Sequence, residues 1–162
     1  TLNDDFGSSG LVSCDIDRDG DVDLLLPYGD NLEEFFHYPQ PYHGCVLLEN
    51  NGDATFTAQR ISDLPGCYAA ATGDIDNDGH IDVMLVSMVN DWRMPDAASV
   101  IMLKHDGKRG FTPLQVASSP IGFITCAIGD INHDGKIDML AGSLRIQPPF
   151  DLSSRLHAWL GE

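Results

Sequence analysis

The chain lacks any long apolar run and is poor in basic residues. Its longest apolar stretch, residues 83–89, contains a serine and is far shorter than the roughly 18 residues of a transmembrane helix, so we expect no membrane insertion. Lysine and arginine total 9 against 25 aspartates and glutamates, and the formal net charge is -16. Because such a chain repels phosphates, we expect no nucleic acid partner and predict that it binds cations.

Recognisable catalytic signatures are also missing. The sequence contains no nucleophile elbow, no phosphate-binding loop and no Ser/His/Asp set. The visible sequence therefore favours a non-catalytic protein and leaves open whether the segment belongs to an enzyme. Its hydrophobic fraction of 43% indicates a globular chain with a core and excludes disorder.

An aspartate-rich window, by contrast, occurs three times. The windows begin at residues 15, 74 and 130, which are 59 and 56 residues apart, and share the pattern Asp-x-Asp/Asn-x-Asp-Gly-x-apolar-Asp. Together they hold 12 of the 25 acidic residues, so the negative charge is concentrated in them. A fixed period of this length is typical of repeat architectures.

Each window lies between two β-prone segments. A small-residue segment precedes it, and a strongly apolar one, such as residues 24–26, follows it. A third strand comes after a loop, and a tight turn leads into a fourth strand that begins at Phe56 or Phe111. Four antiparallel strands per period are the composition of a β-propeller blade. We predict an all-β fold, a partial propeller of about three blades over residues 10–66, 67–122 and 123–162, the last of them incomplete.

The predicted ring is not closed by this segment. Propellers need about four to eight blades, and open blades leave strand edges unpaired. We therefore expect other propeller blades or partner protein chains to complete the sheet arrangement.

The sequence resembles the FG-GAP and VCBS repeats, which occur in integrin α-subunit propellers and in many secreted bacterial proteins. The resemblance rests on the three windows and on residues 48–56, which are similar to the family's Asn-Gly-Asp-Gly-Thr-Phe turn with Ala54 in place of a glycine. The bacterial form is the better match, because the Gly-Ala-Pro of the integrin form is absent and only residues 141–143 come near it. The resemblance implies a calcium-binding propeller.

Each window is predicted to bind one Ca²⁺ ion, giving three sites. Calcium takes six to eight oxygens at about 2.3–2.6 Å, which side chains at positions 1, 3, 5 and 9 and a carbonyl at position 7 can supply. An EF-hand would need a glutamate at position 12, where this chain has Leu26, Leu85 and Ala141. The predicted metal residues are Asp15, Asp17, Asp19, Asp21, Asp23, Asp74, Asp76, Asp78, His80, Asp82, Asp130, Asn132, Asp134, Lys136 and Asp138, with Asp21, His80 and Lys136 acting through their carbonyls.

Calcium is expected to have a structural role. Four or five like charges within nine residues repel one another, so cation binding and folding should be coupled. We expect dissociation constants of about 10⁻⁴ to 10⁻³ M, as in extracellular modules. This range and the four cysteines favour a secreted, cell-surface or periplasmic protein.

The long connections between second and third strands are the candidate ligand face. They should lie on the face opposite the aspartate windows, where loops on a rigid scaffold commonly bind ligands. Their aromatic and arginine side chains either bind a ligand or pack the loops onto the blades. The candidate residues are Phe35, Phe36, Tyr38, Trp92, Arg93 and Arg145.

Three functions are compatible with this pattern. The first is a non-catalytic calcium-binding module for extracellular or periplasmic protein binding and assembly. The second is a lectin-like propeller that binds carbohydrate through the long loops. The third is part of a propeller enzyme whose catalytic residues lie outside this segment, since fold alone does not decide function.

The four cysteines are expected to have two different roles. Cys45 opens a third strand and Cys67 opens the next first strand, so both should lie near the same face of neighbouring blades. We predict a disulfide between them. Cys14 and Cys126 lie at other heights on their strands and are expected to be buried free thiols.

Overall fold

The computed structural model of the chain describes residues 8–29, 40–89, 96–118, 122–144 and 156–161. Within these ranges the chain is all β, with eleven strands and no helix, and it offers no helical segment that could span a membrane. The strands are β1 (Val12–Cys14), β2 (Asp23–Tyr28), β3 (Gly44–Asn50), β4 (Phe56–Ser62), β5 (Cys67–Gly73), β6 (Asp82–Ser87), β7 (Ala98–His105), β8 (Phe111–Ser118), β9 (Phe123–Gly129), β10 (Asp138–Ser143) and β11 (Leu156–Trp159).

These strands form three antiparallel sheets. Sheet 1 has the order β1-β2-β3-β4, sheet 2 the order β5-β6-β7-β8, and sheet 3 the order β9-β10-β11. Every strand pairs with its neighbour in sequence, so each sheet is an up-and-down meander. The all-β prediction is confirmed, and the predicted fourth strands begin at Phe56 and Phe111 as expected. The described residues form three open sheets and no closed barrel.

The sheets stack face to face, with sheet 2 in the middle. On β6, Val83 and Leu85 belong to the core shared with sheet 1, whereas Met84 and Val86 belong to the core shared with sheet 3. All four side chains are 0% exposed. Burial of each contributes about 1.5–3 kcal/mol. Because both faces of β6 are covered, its residues 83–86 are all apolar and do not alternate with polar residues.

The turn between β3 and β4 holds a non-glycine residue in a left-handed backbone conformation. Ala54 has a φ of 65°, a left-handed conformation that glycine adopts without steric cost. The neighbouring Gly52 also has a positive φ, of 79°, and Asn51 N donates to Thr55 O across the turn at 3.0 Å. Ala54 therefore holds a strained conformation, which a glycine at this position would relieve.

Replacing Ala54 by glycine is expected to stabilise the protein. A left-handed alanine costs roughly 1–2 kcal/mol, part of which glycine loses again through its more flexible unfolded chain. We expect a net gain of about 0.5–1 kcal/mol, measured as a higher urea midpoint. The matched control is Ala58→Gly, in the regular part of β4, which should lower the midpoint. A lower midpoint for Ala54→Gly would contradict the strain argument.

Candidate metal centres

The three aspartate windows form loops with one backbone conformation. They connect β1 to β2, β5 to β6 and β9 to β10, at the same place in each sheet. The residues at positions 4 and 6 have a left-handed backbone conformation in all three loops. Glycine is favoured at position 6 because it adopts this conformation without steric cost. The φ angles are 63° at Arg18, 58° at Asn77 and 61° at His133, and 95° at Gly20, 92° at Gly79 and 87° at Gly135.

Backbone N–H groups hold the acidic side chains on the inside of each loop. The carboxylate at position 1 accepts from the glycine N–H at position 6, as Asp15 Oδ2 does from Gly20 at 3.1 Å. The corresponding distances in the second and third loops are 3.0 and 2.9 Å. The carboxylate at position 5 accepts from the N–H at position 7, at 2.8–2.9 Å in the three loops. These bonds curl the chain so that side chains from alternate positions face one centre.

The carboxylates of the first two loops converge on a common point. In loop one, oxygens of Asp15, Asp17 and Asp19 all lie within 4.8 Å of one another. Asp74, Asp76 and Asp78 do the same in loop two. The backbone N–H of His80 lowers the pKa of Asp78, which favours its ionised form. Each triad is thus a set of hard oxygen donors of the kind that calcium prefers.

One carboxylate oxygen in each of these two loops has no partner. Asp15 Oδ1 and Asp74 Oδ1 are buried and accept no hydrogen bond. An unpaired buried oxygen is costly, because it has lost its hydration without replacement. A cation at the centre of the triad would supply the missing contact. The residues present therefore fit a bound divalent ion in both loops.

The third loop offers fewer charges. Position 3 is Asn132, whose side-chain amide donates to Asp134 Oδ2 at 2.9 Å. Asp130 Oδ1, the counterpart of the unpaired oxygens, accepts from Asp134 N at 3.1 Å. Loop three has a neutral side chain at position 3, and its Asp130 oxygens both accept hydrogen bonds. We therefore expect loop three to bind a cation more weakly than loop one.

The aspartate at position 9 differs from the other acidic residues, because it is buried. Asp23, Asp82 and Asp138 are at most 1% exposed, and each joins the start of its loop to the end of the third strand. In loop one, Asp23 accepts from Ile16 N at 2.9 Å and from Asn50 N at 2.8 Å. Loops two and three repeat both bonds, at 2.9–3.1 Å.

Sequence reasoning missed this hydrogen-bonding role of position 9. The signal was available, since an aspartate that directly precedes a buried strand needs backbone donors. Burial raises the pKa of Asp23 and of Asp82 even though each accepts two backbone N–H groups. A nearby cation would offset that cost. Metal ligation by the aspartate at position 9 stays a prediction. Each carboxylate oxygen of this aspartate has a second lone pair that could coordinate a cation.

The side chains at position 7 point towards the neighbouring turn in the first two sheets. A methyl group added at Gly52 would lie 2.8 Å from Asp21 Oδ2, and one added at Gly107 would lie 2.3 Å from His80 Cε1. The loop and the turn between the third and fourth strands therefore meet at one end of the sheet. Carbonyl ligation by Asp21, His80 and Lys136 stays a prediction.

A lysine from β7 reaches the carboxylates of loop two. Lys104 Nζ forms an ion pair with Asp76 Oδ2 and lies 3.2 Å from Asp78 Oδ2. The hydrogen bond to Asp76 raises the pKa of Lys104. In sheet 1 the corresponding residue is Glu49, which precedes Asn50 as Lys104 precedes His105. The ammonium group therefore reduces the negative charge of loop two, whereas loop one has no such partner at the corresponding position.

Replacing Lys104 by methionine is expected to tighten calcium binding at loop two. The change removes a competing positive charge and keeps an unbranched side chain, and the effect should be on the order of a few-fold because the pair is exposed. Isothermal titration calorimetry measures it. Lys108→Met, with the same change of net charge in the adjacent turn, is the control. Equal affinities for the two variants would contradict competition by Lys104.

The predicted ligand-face residues Phe35, Phe36, Tyr38, Trp92, Arg93 and Arg145 lie outside the described residues. The described part of that face contains His43, which is only 2% exposed. Its Nδ1 accepts from Gln40 N at 3.2 Å and from Gly66 N at 2.8 Å, so the ring is neutral with its proton on Nε2. Burial lowers the pKa of His43. This histidine joins the loop before β3 to the turn before β5.

We expect His43 to make the fold sensitive to acid. Because its folded pKa is depressed, its stabilising contribution is present above the unfolded value of about 6.5 and is lost as pH falls through the window below it. Thermal melts between pH 7.5 and 5 measure this loss. His43→Asn keeps an acceptor for the two N–H groups and should reduce the loss. His133→Asn, at an exposed position where loop two has Asn77, should leave it unchanged, and equal profiles for the two variants would refute the assignment.

Comparison of the chain with protein-family models finds no match, and comparison with curated proteins also finds none. The functional assignment therefore depends on the loop geometry described above.

Proposed function

We propose that this chain is a calcium-binding β-propeller segment of the FG-GAP/VCBS type. Each aspartate loop binds one Ca²⁺ ion and thereby ties the first two strands of a blade to the end of the third. The observation that carries the proposal is that one loop geometry occurs three times. In two of these loops three carboxylates converge, and one of their oxygens is buried without a hydrogen-bond partner. The protein acts as a structural binding or assembly module and not as a catalyst.

The isoleucines at position 2 support the propeller arrangement. Ile16 is 3% exposed and packs between sheets 1 and 2, and Ile75 packs between sheets 2 and 3. Ile131, the same residue in sheet 3, is 47% exposed because no further sheet among the described residues covers it. In a propeller the next blade would cover this position. Another blade or a partner protein chain is therefore the proposed neighbour of sheet 3.

The proposed setting is outside the cytosol, in the periplasm, at the cell surface or in the medium. Loops of this kind, exposed and built on short connections, are expected to have dissociation constants of about 10⁻⁴ to 10⁻³ M. Only compartments with calcium in that range would fill them. The described residues give no specific observation that favours carbohydrate binding.

Calcium titration of chelator-treated protein tests this proposal. Isothermal titration calorimetry should give three sites, with loop three the weakest. Asp17→Ala and Asp76→Ala should each remove one site, because each deletes an oxygen ligand from a triad. Asp96→Ala, an exposed aspartate outside the loops, should retain all three. Absence of calcium uptake by the folded protein, or unchanged stoichiometry in both loop variants, would overturn the proposal.

A further inference from the structure

Two buried cysteines from different sheets face each other in the core. Cys45, on β3, and Cys67, the first residue of β5, are both 0% exposed and belong to the core between sheets 1 and 2. Burial first, and then a hydrogen bond with the Cys45 side chain, raise the pKa of the Cys67 thiol. All four cysteines are free thiols in the structure, and the disulfide between Cys45 and Cys67 stays a prediction.

The backbone around the pair is closely packed. A methyl group added at Gly29 would lie 2.3 Å from Cys67 N and O, so the end of β2 lies directly against Cys67. Pro27, two residues earlier, is the strand partner of Cys45. Ser9 Oγ also donates to Cys67 O at 3.1 Å. Both cysteines thus border the end of β2, one from each of the two sheets.

We propose that Cys45 and Cys67 form a redox site whose disulfide joins sheet 1 to sheet 2 and is made before the two sheets pack. The inference is independent of calcium binding. It names a covalent link between neighbouring repeats, which the aspartate loops do not supply, since each loop acts within one sheet.

The oxidant is a small-molecule disulfide such as oxidised glutathione. A thiolate of Cys45 attacks one sulfur of that disulfide, its S–S bond breaks, and one glutathione thiolate leaves. The Cys67 thiolate then attacks the Cys45 sulfur and expels the second glutathione thiolate. The protein loses two electrons and two protons, and the oxidised glutathione takes up these electrons and protons to form two molecules of reduced glutathione.

Burial determines when this exchange can occur. Desolvation raises the pKa of the Cys67 thiol well above its ordinary value, and only a thiolate attacks a disulfide. In the packed core the thiol is therefore protonated and out of reach of the oxidant. The same burial protects the finished disulfide, because a reductant must reach one of its sulfurs.

The other two cysteines serve as internal controls. Burial raises the pKa of Cys14 to about 11 and that of Cys126 to about 12. Neither is hydrogen-bonded to another cysteine among the contacts described. Cys126 interacts electrostatically with Cys67, and Cys14 interacts electrostatically with Cys45, so both are rival partners that a test must distinguish.

Thiol mapping of the wild-type chain tests the inference without any variant. The denatured, reduced protein is refolded in calcium with a mixture of reduced and oxidised glutathione, then alkylated in denaturant and digested. We expect two alkylated cysteines, Cys14 and Cys126, and one cross-linked peptide pair containing Cys45 and Cys67. Four alkylated cysteines, or a cross-link that includes Cys14 or Cys126, would overturn the proposal.

The timing is tested on protein folded first under reducing conditions. Oxidised glutathione added to this folded protein should leave all four thiols free, and reduced glutathione added to the oxidised protein should leave the disulfide intact. The oxidised protein should melt roughly 6–12 °C above the reduced protein. Cys67→Ala should abolish this difference and Cys14→Ala should retain it. Rapid oxidation of the folded protein, or equal melting temperatures, would overturn the proposal.

Discussion

Replacing Asp82 by asparagine is expected to destabilise the protein by about 3 kcal/mol. Asp82 is 0% exposed, and its two oxygens accept from His105 N at 2.9 Å and from Ile75 N at 3.1 Å. An asparagine keeps one acceptor but turns an NH₂ group towards the other backbone donor. One charge-assisted bond is lost, the other is weakened, and a donor is left unpaired in the core. Urea unfolding followed by circular dichroism measures the loss.

The effect of this substitution is separable from loss of a metal ligand. Asp76→Asn, in the exposed part of the same loop, removes the same charge but no buried hydrogen bond, so in chelator its midpoint should change far less. Asp138→Asn should resemble Asp82→Asn, because Asp138 is also 0% exposed and accepts from Ile131 N and Gly161 N. An unchanged midpoint for Asp82→Asn in chelator would show that position 9 acts only through the metal.

The strand pattern could be predicted from the sequence because each repeat contains residues that mark the turns between its strands. The aspartate windows separate first from second strands, and the turns before Phe56 and Phe111 separate third from fourth. The packing of the sheets could not be predicted in the same way. Val83 packs in the core shared with sheet 1 and Met84 in the core shared with sheet 3. A continuous apolar run does not indicate which of its two faces packs against which neighbouring sheet.

The candidate site was predictable at the positions where ligand chemistry restricts residue type. Carboxylates at positions 1, 3 and 5 and the glycine at position 6 follow from the needs of a curled oxygen-donor loop. Lys104 was not predictable, because it reaches Asp76 from a strand 28 residues away in the chain. The sequence places Cys45 and Cys67 at equivalent ends of adjacent sheets, and the structure puts both in the core between sheets 1 and 2. The disulfide between them stays a prediction.

Calcium is expected to raise the melting temperature of the chelator-treated protein by about 8–16 °C. At a free concentration of about ten times the dissociation constant, each site contributes about 1.4 kcal/mol, and three independent sites contribute about 4 kcal/mol. For a chain of this length, 1 kcal/mol corresponds to about 2–4 °C. Differential scanning calorimetry in chelator and in calcium measures the shift. Magnesium should give a smaller one, because it requires an octahedral shell at shorter distances.

The loop variants show whether this stabilisation arises at the proposed centres. The double variant Asp17→Ala, Asp76→Ala removes a ligand from each converging triad, so only loop three remains and the calcium-dependent shift should fall to about a third or less. Its melting temperature in chelator should be no lower than that of the parent, because repulsion within both loops is reduced. A full shift in the double variant would place the stabilising calcium elsewhere in the protein. A large loss of stability in chelator would instead mean that Asp17 and Asp76 support the fold without a cation.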